Sequence, residues 1–438
     1  MFSTKPQVPS RNPPNDLKIV IVGGGVCGLV CCIALKQFGM EAHLYEAAAK
    51  FGEIGAAIGI GNNTANILDK IGVLDTLFAK ADIPPQARHS MVTFYDGEGD
   101  HEAIYDPPSG PAEGSFGVTR TVFLDSLVDH VDPKLTHFNK RFTKVTQVTS
   151  DSGRQVVHFA DGTTVEADVV LLANGIRGAG RDVVTGVDPK KSVVFANTVY
   201  YRALAHSGAI KEAALDLKTD ILKRACIFMG TNKHAVIVPV AGGTLINISA
   251  VLIDNSVKVG EVELADDEPR VVQTTKDELL KNFEEWGNDA RIIMGSVETV
   301  NKWLVEVLHP SLETYVKGKV ALLGDAAHAM APHLGAGAGQ GIEDAYLLAQ
   351  LLSDPQTTKA NVEAVLKTYD AVRRPRAQAV WEATQRAGRT YEGHGNSGNS
   401  AEGRRRDLEG QWAFIWHHGV NDDRDIALKL LRGQGVFL

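Results

Sequence analysis

Cysteine is scarce in this chain, with four among 438 residues, and that excludes a disulfide framework, which needs a far higher density. Cys27, Cys31 and Cys32 cluster, yet no histidine or second cysteine pair stands at metal-ligand spacing. They read as small apolar side chains along one helix. Long apolar runs are missing too: no stretch of 18 uncharged apolar residues occurs, which argues against a spanning helix. Basic charge is not in excess, with 45 Lys and Arg against 53 Asp and Glu, net −8. A nucleic-acid partner would need a basic stripe. The first 16 residues, MFSTKPQVPSRNPPND, lack the apolar core of a signal peptide. They read as a disordered lead-in, and with reduced thiols they set the expectation of a cytoplasmic protein. No internal repeat is present. What remains, a long chain that is 44% hydrophobic, suffices for two cores, or one large domain with a smaller companion.

The first strong signal is LKIVIVGGGVCGLVCCIALKQFGMEAHLYE, residues 17–46. Leu17 to Val22 is a continuous apolar run, the pattern of a parallel strand buried on both faces. Gly23, Gly25 and Gly28 then give the G-x-G-x-x-G spacing. Gly23 permits the tight turn, Gly25 lets backbone approach a pyrophosphate, and Gly28 allows close helix–strand packing. The following helix, ending near Phe38 with Gly39 as its stop, would offer free amides to the diphosphate. A second strand, AHLY, ends at Glu46, 18 residues after Gly28, where a carboxylate can accept from an adenosine ribose. Strand, turn, helix and acid together specify a dinucleotide site.

Elsewhere, Asp161-Gly162 marks a hairpin turn, and VVLLANG is a buried strand ending at Asn174-Gly175. KHAVIVPV and TLINISAVLI alternate as antiparallel strands do, residues 275–287 read as helical, and beyond 325 the chain is mostly helical with a break expected at Pro375.

The glycine-rich stretch GDAAHAMAPHLGAGAGQGIEDA, residues 324–345, follows the apolar run KVALLG. Asp325 emerges where strand meets loop, the usual place for ligand contact in an α/β sheet, and its carboxylate can bind a polyol. The glycines from Gly335 to Gly341 lead into a helix expected to start near Gly341, whose dipole would favour negative charge. A bare backbone of this kind lets a flat ring lie against the main chain, and a flavin fits because its reduced form is anionic. A glycine-rich helix-packing corner is the plainer alternative.

These motifs resemble the single-component, FAD-dependent aromatic hydroxylases (group A flavoprotein monooxygenases), in particular the salicylate hydroxylase-like branch. GGGVCGL with Glu46, DVVLLANGIRGAGR (168–181) and the 324–345 stretch occur in family order. FGEIGAAIGIGNN (51–63), TRTVFLDSL with Arg120, and YDAVRRPRA (369–377) also match. The resemblance implies an α/β fold: a Rossmann-like FAD-binding domain (17–190 and 300–375), an inserted, mainly antiparallel substrate sheet (191–299, associated with 89–111), and a helical C-terminus (376–438). It implies FAD bound by Gly23, Gly25, Gly28, Glu46, Arg120, Asn174, Asp325, Gly335 and Gly337. NADH or NADPH and dioxygen would be co-substrates, and the oxygen would transfer from a flavin 4a-hydroperoxide to a phenol or aromatic acid. Pro332 and His333 would lie beside the reacting edge of the flavin, and Arg202 would pair with an anionic substrate. A structural ion pair for Arg202 and a bracing role for His333 stay open. Monomer and homodimer are both compatible with the sequence.

Departures from the family pattern mark where substrate identity transfers least. Leu172 and Asn174 replace a Gly and the Asp of the second motif, Leu334 stands where many relatives carry Gln, and Val238-Pro239 replaces Tyr-Pro. No second glycine fingerprint follows a strand, so NAD(P)H has no domain of its own, unlike in disulfide reductases. No Trp-x-Trp-x-Ile-Pro box is present among Trp286, Trp303, Trp381, Trp412 and Trp416, which disfavours a halogenase. An ene-type reductase, a non-catalytic flavin protein, a 4-hydroxybenzoate-type hydroxylase and a dearomatising hydroxylase of polyketide-like phenols are the remaining alternatives.

Overall fold

A computed structural model describes residues 14–52, 57–84, 91–108, 114–148, 153–213, 217–265 and 267–438. Of the expected lead-in only 14–16 fall inside these limits. Asn15 is pinned there, donating through Nδ2 to the Leu352 carbonyl at 2.7 Å.

The strand Ile19–Val22 is buried throughout because it sits inside a parallel sheet, between Ala42–Tyr45 and Val169–Leu172. Val320–Leu322 extends that sheet in parallel beyond Val169–Leu172. The turn after Ile19–Val22 opens the helix Val26–Gln37, and Gly39, at φ +83°, follows its end. Gly28 is obligatory for packing: a Cβ there would stand 2.0 Å from the Gly23 carbonyl oxygen.

The helix at the second glycine stretch spans Gly337–Leu352 and starts one turn earlier than expected near Gly341. Gly341 is not a breaker here but the point of closest approach to the first helix. A Cβ on Gly341 would lie 2.2 Å from Cys27 Sγ, and one on Gly324 2.6 Å from it. The sulfur thus fills a notch between two glycines, and Cys31 and Cys32 are buried in the same core. The packing-corner reading holds for Gly324 and Gly341, while Gly335, Gly337 and Gly339 face a cavity.

The second sheet has eight strands, centred on the long strand Val193–His206. That strand pairs antiparallel with Leu245–Ile253 on one side and Val300–Leu308 on the other. The sheet therefore reaches past the expected boundary at 299, because the nine residues of Val300–Leu308 complete the hydrogen bonding of its central strand. Thr93–Asp96 and Ala103–Tyr105 form its far edge. Period-2 alternation divides its faces. Tyr201, Ala203, Ile246, Ile248 and Ala250 pack with Leu279, Phe283, Ile293 and Met294 of the helical stretch behind the sheet. Tyr200, Arg202, Asn247 and Ser249 point the other way, into the cavity.

Pro375 does not break the C-terminal region: one helix, Val362–Tyr391, runs through it. A proline removes one helical hydrogen bond, but here tertiary anchoring outweighs that loss. Arg373, fully buried, binds Asp344 (2.8 Å), Glu343 (2.6 Å), Asp423 (2.7 Å) and the Gln340 side chain (2.9 Å). Ala377 and Val380 are buried one and two turns on. Among the described residues no helix is long and apolar enough to cross a membrane.

Candidate active site

Between the parallel sheet and the open face of the eight-stranded sheet lies a cavity of about 860 Å³. The first strand–turn–helix contributes Gly23 and Gly25 to its wall, the end of the strand Ala42–Tyr45 Glu46, the third motif Asp325 and the 330–339 segment, the second sheet Tyr200 and Arg202. Arg120 and Asn174 line it as well. Of the residues expected to hold cofactor or substrate, Gly28 alone is absent from the wall, as its packing role requires.

Local geometry explains each placement. Gly23 adopts φ +107° with Ala173 O 2.5 Å from where a Cβ would be, so no side chain fits. The Glu46 carboxylate accepts from the Gly24 N–H at 2.6 Å and the Ala48 N–H at 2.7 Å, which fixes its direction. Asn174 donates to the Ala179 carbonyl at 2.8 Å. It braces the turn of the second motif as well as facing the cavity. Asp325 opens the short helix Asp325–His328 and is exposed to the cavity.

Arg181 was not singled out from sequence although it ends the second motif. Its buried guanidinium donates to the Ala326 carbonyl at 2.9 Å and the Ile176 carbonyl at 2.5 Å, tying the second motif to the third. Burial pulls it down to about 10, against the pull of Asp325. His328 is structural, 2.6 Å from Asp344, whose same oxygen accepts the Gly324 N–H at 3.0 Å.

The loop carrying Pro332 and His333 is held from three sides. Thr384 donates to the Ala331 carbonyl at 2.8 Å and accepts from the Leu334 N–H, Trp412 donates to the Leu334 carbonyl, and Gly335 closes a turn onto the Pro332 carbonyl at 3.0 Å. His333 is buried, with burial holding it down at about 4 against the opposing charge of Glu392. It is a neutral base at physiological pH. A Cβ on Gly388 would meet the His333 ring at 2.7 Å. Gly388→Ala is thus expected to force the ring to shift while sparing the helix, where Ala is favoured. Turnover should fall about tenfold, against the ~100-fold of a full 1 Å misplacement. Steady-state kinetics beside flavin content checks this, and unchanged turnover would show that the ring position does not matter.

Arg202 is sandwiched between rings, its guanidinium carbon 4.9 Å from the Trp303 centroid and 5.6 Å from that of Tyr200. Its buried Nε has no hydrogen-bond partner, and among the described residues no carboxylate pairs with it. Burial lowers its basicity, and Arg120 nearby lowers it further. By contrast Arg224 is committed to Asp106 at 2.7 Å.

Residues 16–384 match the profile of the FAD binding domain family. The chain belongs to that family. It is 33% identical over 420 residues to a salicylate hydroxylase of Pseudomonas putida, covering 94% of this chain and 95% of the relative. It is 30% identical over 388 residues to a 6-methylsalicylate 1-monooxygenase of Aspergillus terreus, covering 86% and 83%. A solved salicylate hydroxylase substrate complex superposes with a TM-score of 0.84 at 28% identity, covering 94% and 98%. The protein is an FAD-dependent aromatic monooxygenase of the salicylate hydroxylase type.

The cavity suits FAD: it runs without interruption from the glycine turn at Gly23 to the loop at Gly335, where a Cβ would meet nothing within 4 Å. The FAD-dependent hydroxylase also carries features that sequence reasoning passed over. Trp412 and Trp416, parallel and 5.0 Å apart, line the cavity from the C-terminal segment. Nothing in sequence spacing links residue 412 to residue 334. Tyr200 was legible in principle, since it shares a strand face with Arg202.

Proposed function

We propose that this FAD-dependent monooxygenase hydroxylates a salicylate- or hydroxybenzoate-type aromatic acid, consuming NAD(P)H and dioxygen. When bound, FAD supplies the redox chemistry: it accepts a hydride from NAD(P)H and delivers one atom of dioxygen as an electrophile, the other leaving as water. The chain's own part is binding and orientation. Gly23 and Gly25 would admit the diphosphate to the helix amides, Glu46 the adenosine ribose, and Asp325 the ribityl hydroxyls. Gly335 and Gly337 would leave room for the ring beside the positive end of the 337–352 helix. Arg120 and Asn174 would complete the cofactor wall.

One observation carries the substrate reading: a guanidinium with an unsatisfied buried Nε on the cavity wall and, among the described residues, no carboxylate to pair with. A carboxylate entering so apolar a site needs such a partner, and a planar fork can bind it in bidentate fashion. An electrophilic oxygen requires an electron-rich ring, which a phenol provides. Neutral His333, with the Pro332 carbonyl beside it, would accept the proton that the phenol releases.

Hydroxybenzoates and carboxylate-free phenols should be screened for stimulated NAD(P)H oxidation, with product mass to separate plain hydroxylation from hydroxylation with loss of CO2. Stimulation by phenols alone would favour a dearomatising hydroxylase instead. Arg202→Lys keeps the charge and loses the fork. It is expected to raise the apparent constant for the aromatic acid about tenfold, or ~1.4 kcal/mol, with flavin content intact. An unchanged constant would make Arg202 structural.

A further inference from the structure

Three buried groups beside the cavity stand outside this scheme as a set. His234 comes from the strand Lys233–Val240, His333 from the cavity loop, and Glu392 from the end of the helix Val362–Tyr391. Their relative exposures are 0%, 5% and 0%. One ligand-capable atom from each lies within 4.8 Å of the others. Among the described residues both ring nitrogens of His234 and both carboxylate oxygens of Glu392 lack a partner at hydrogen-bond geometry, with Asn255 the side-chain donor beside Glu392 and His234 Nδ1 3.2 Å from Glu392 Oε1. Leaving polar atoms unpaired in a core is costly, and a bound cation would take one ligand atom from each residue.

Two imidazoles and a carboxylate are a donor set for a borderline transition metal, not for Mg2+ or Ca2+, which take oxygen ligands. Tetrahedral zinc, with bonds of about 2.0–2.1 Å to nitrogen, sets its ligand atoms roughly 3.3 Å apart. The His234–Glu392 separation already meets that spacing. His333 lines the cavity, so a fourth position would open towards it for water or a substrate oxygen. The other such cluster, Glu343, His418 and Asp423, is different: Arg373 and Arg376 already satisfy its carboxylates.

We propose that His234, His333 and Glu392 form a binding site for Zn2+, and that the bound ion inhibits turnover by engaging the imidazole of His333. The binding half stands without the hydroxylase reading, because it is measured without substrate.

The test uses the full-length, FAD-loaded protein, stripped with EDTA and then dialysed to equilibrium against Zn2+, with bound metal assayed directly. One Zn2+ per chain is expected. Glu392→Gln should weaken it at least tenfold, since even outer-shell changes cost about 10–100-fold, and Asp423→Asn should leave it in place. Flavin absorbance and thermal unfolding verify that each variant is folded, and His234→Gln serves should Glu392→Gln fail to fold. Zn2+ should also slow substrate-stimulated NAD(P)H oxidation, reversibly with EDTA and less so in Glu392→Gln. Equal Zn2+ binding by wild type and the folded Glu392 or His234 variant, no stoichiometric binding, or binding lost in Asp423→Asn would each overturn the site. Glu392-dependent binding that leaves NAD(P)H oxidation unaltered would overturn the inhibition.

Discussion

Arg373→Met is expected to destabilise the protein by about 3–5 kcal/mol, the usual cost of removing one partner from a buried ion pair. Its guanidinium holds two fully buried carboxylates and the partly buried Asp423. Burial works to raise Glu343, yet Arg373 and Arg376 hold it down at about 2. Without Arg373, Glu343 would lose its principal counter-charge in a dry setting, and Asp344 would be left with His328 alone. The damage should reach the cofactor. Asp344 also fixes the Gly324 N–H and His328, so the loop at Asp325 would lose its support. Thermal unfolding followed by both circular dichroism and flavin fluorescence checks this, with Arg386→Met as the control. Arg386 is largely exposed and only 3.9 Å from Glu382, so its loss should stay within about 0.5 kcal/mol. If Arg373→Met unfolds like the control, the network is dispensable.

Asp325→Ala should raise the FAD dissociation constant roughly ten- to hundredfold, the ~1.5–3 kcal/mol of hydrogen bonds to a charged group. This follows from the proposal that its carboxylate accepts from the ribityl chain. The fold should tolerate the change, because Asp325 is exposed to the cavity and carries no packing load. Titration of apoprotein with FAD, monitored by flavin fluorescence, gives the constant. An unaltered value would place the ribityl contact elsewhere.

Local order was legible where the physical constraint is local. The run at 17–22 had to be a doubly buried parallel strand, and the spacing of Gly23, Gly25 and Gly28 had to make a tight turn into a helix. KHAVIVPV is a strand over the residues read as one, Lys233–Val240, because period-2 patterning is a property of the segment itself. The expected break at Pro375 and helix start near Gly341 failed for one reason: both applied local propensity where distant contacts prevail. Arg373 clamps the first, and Cys27 packs against the second.

By itself the sequence determined the two glycine signatures, the acid after the second strand and the alternation of the eight-stranded sheet, and through these the cofactor class. Each depends on residues within a turn or two of one another, where sterics and backbone hydrogen bonding act. Only the tertiary structure decided which of these residues share a cavity, that Arg202 has aromatic flanks and, among the described residues, no carboxylate partner, and that Trp412 and Trp416 close the wall. The same holds for the meeting of Glu343 and Asp344 with Arg373, and of His234 with His333 and Glu392. Those encounters join residues tens to hundreds of positions apart, and burial, not spacing, determines what their charges do.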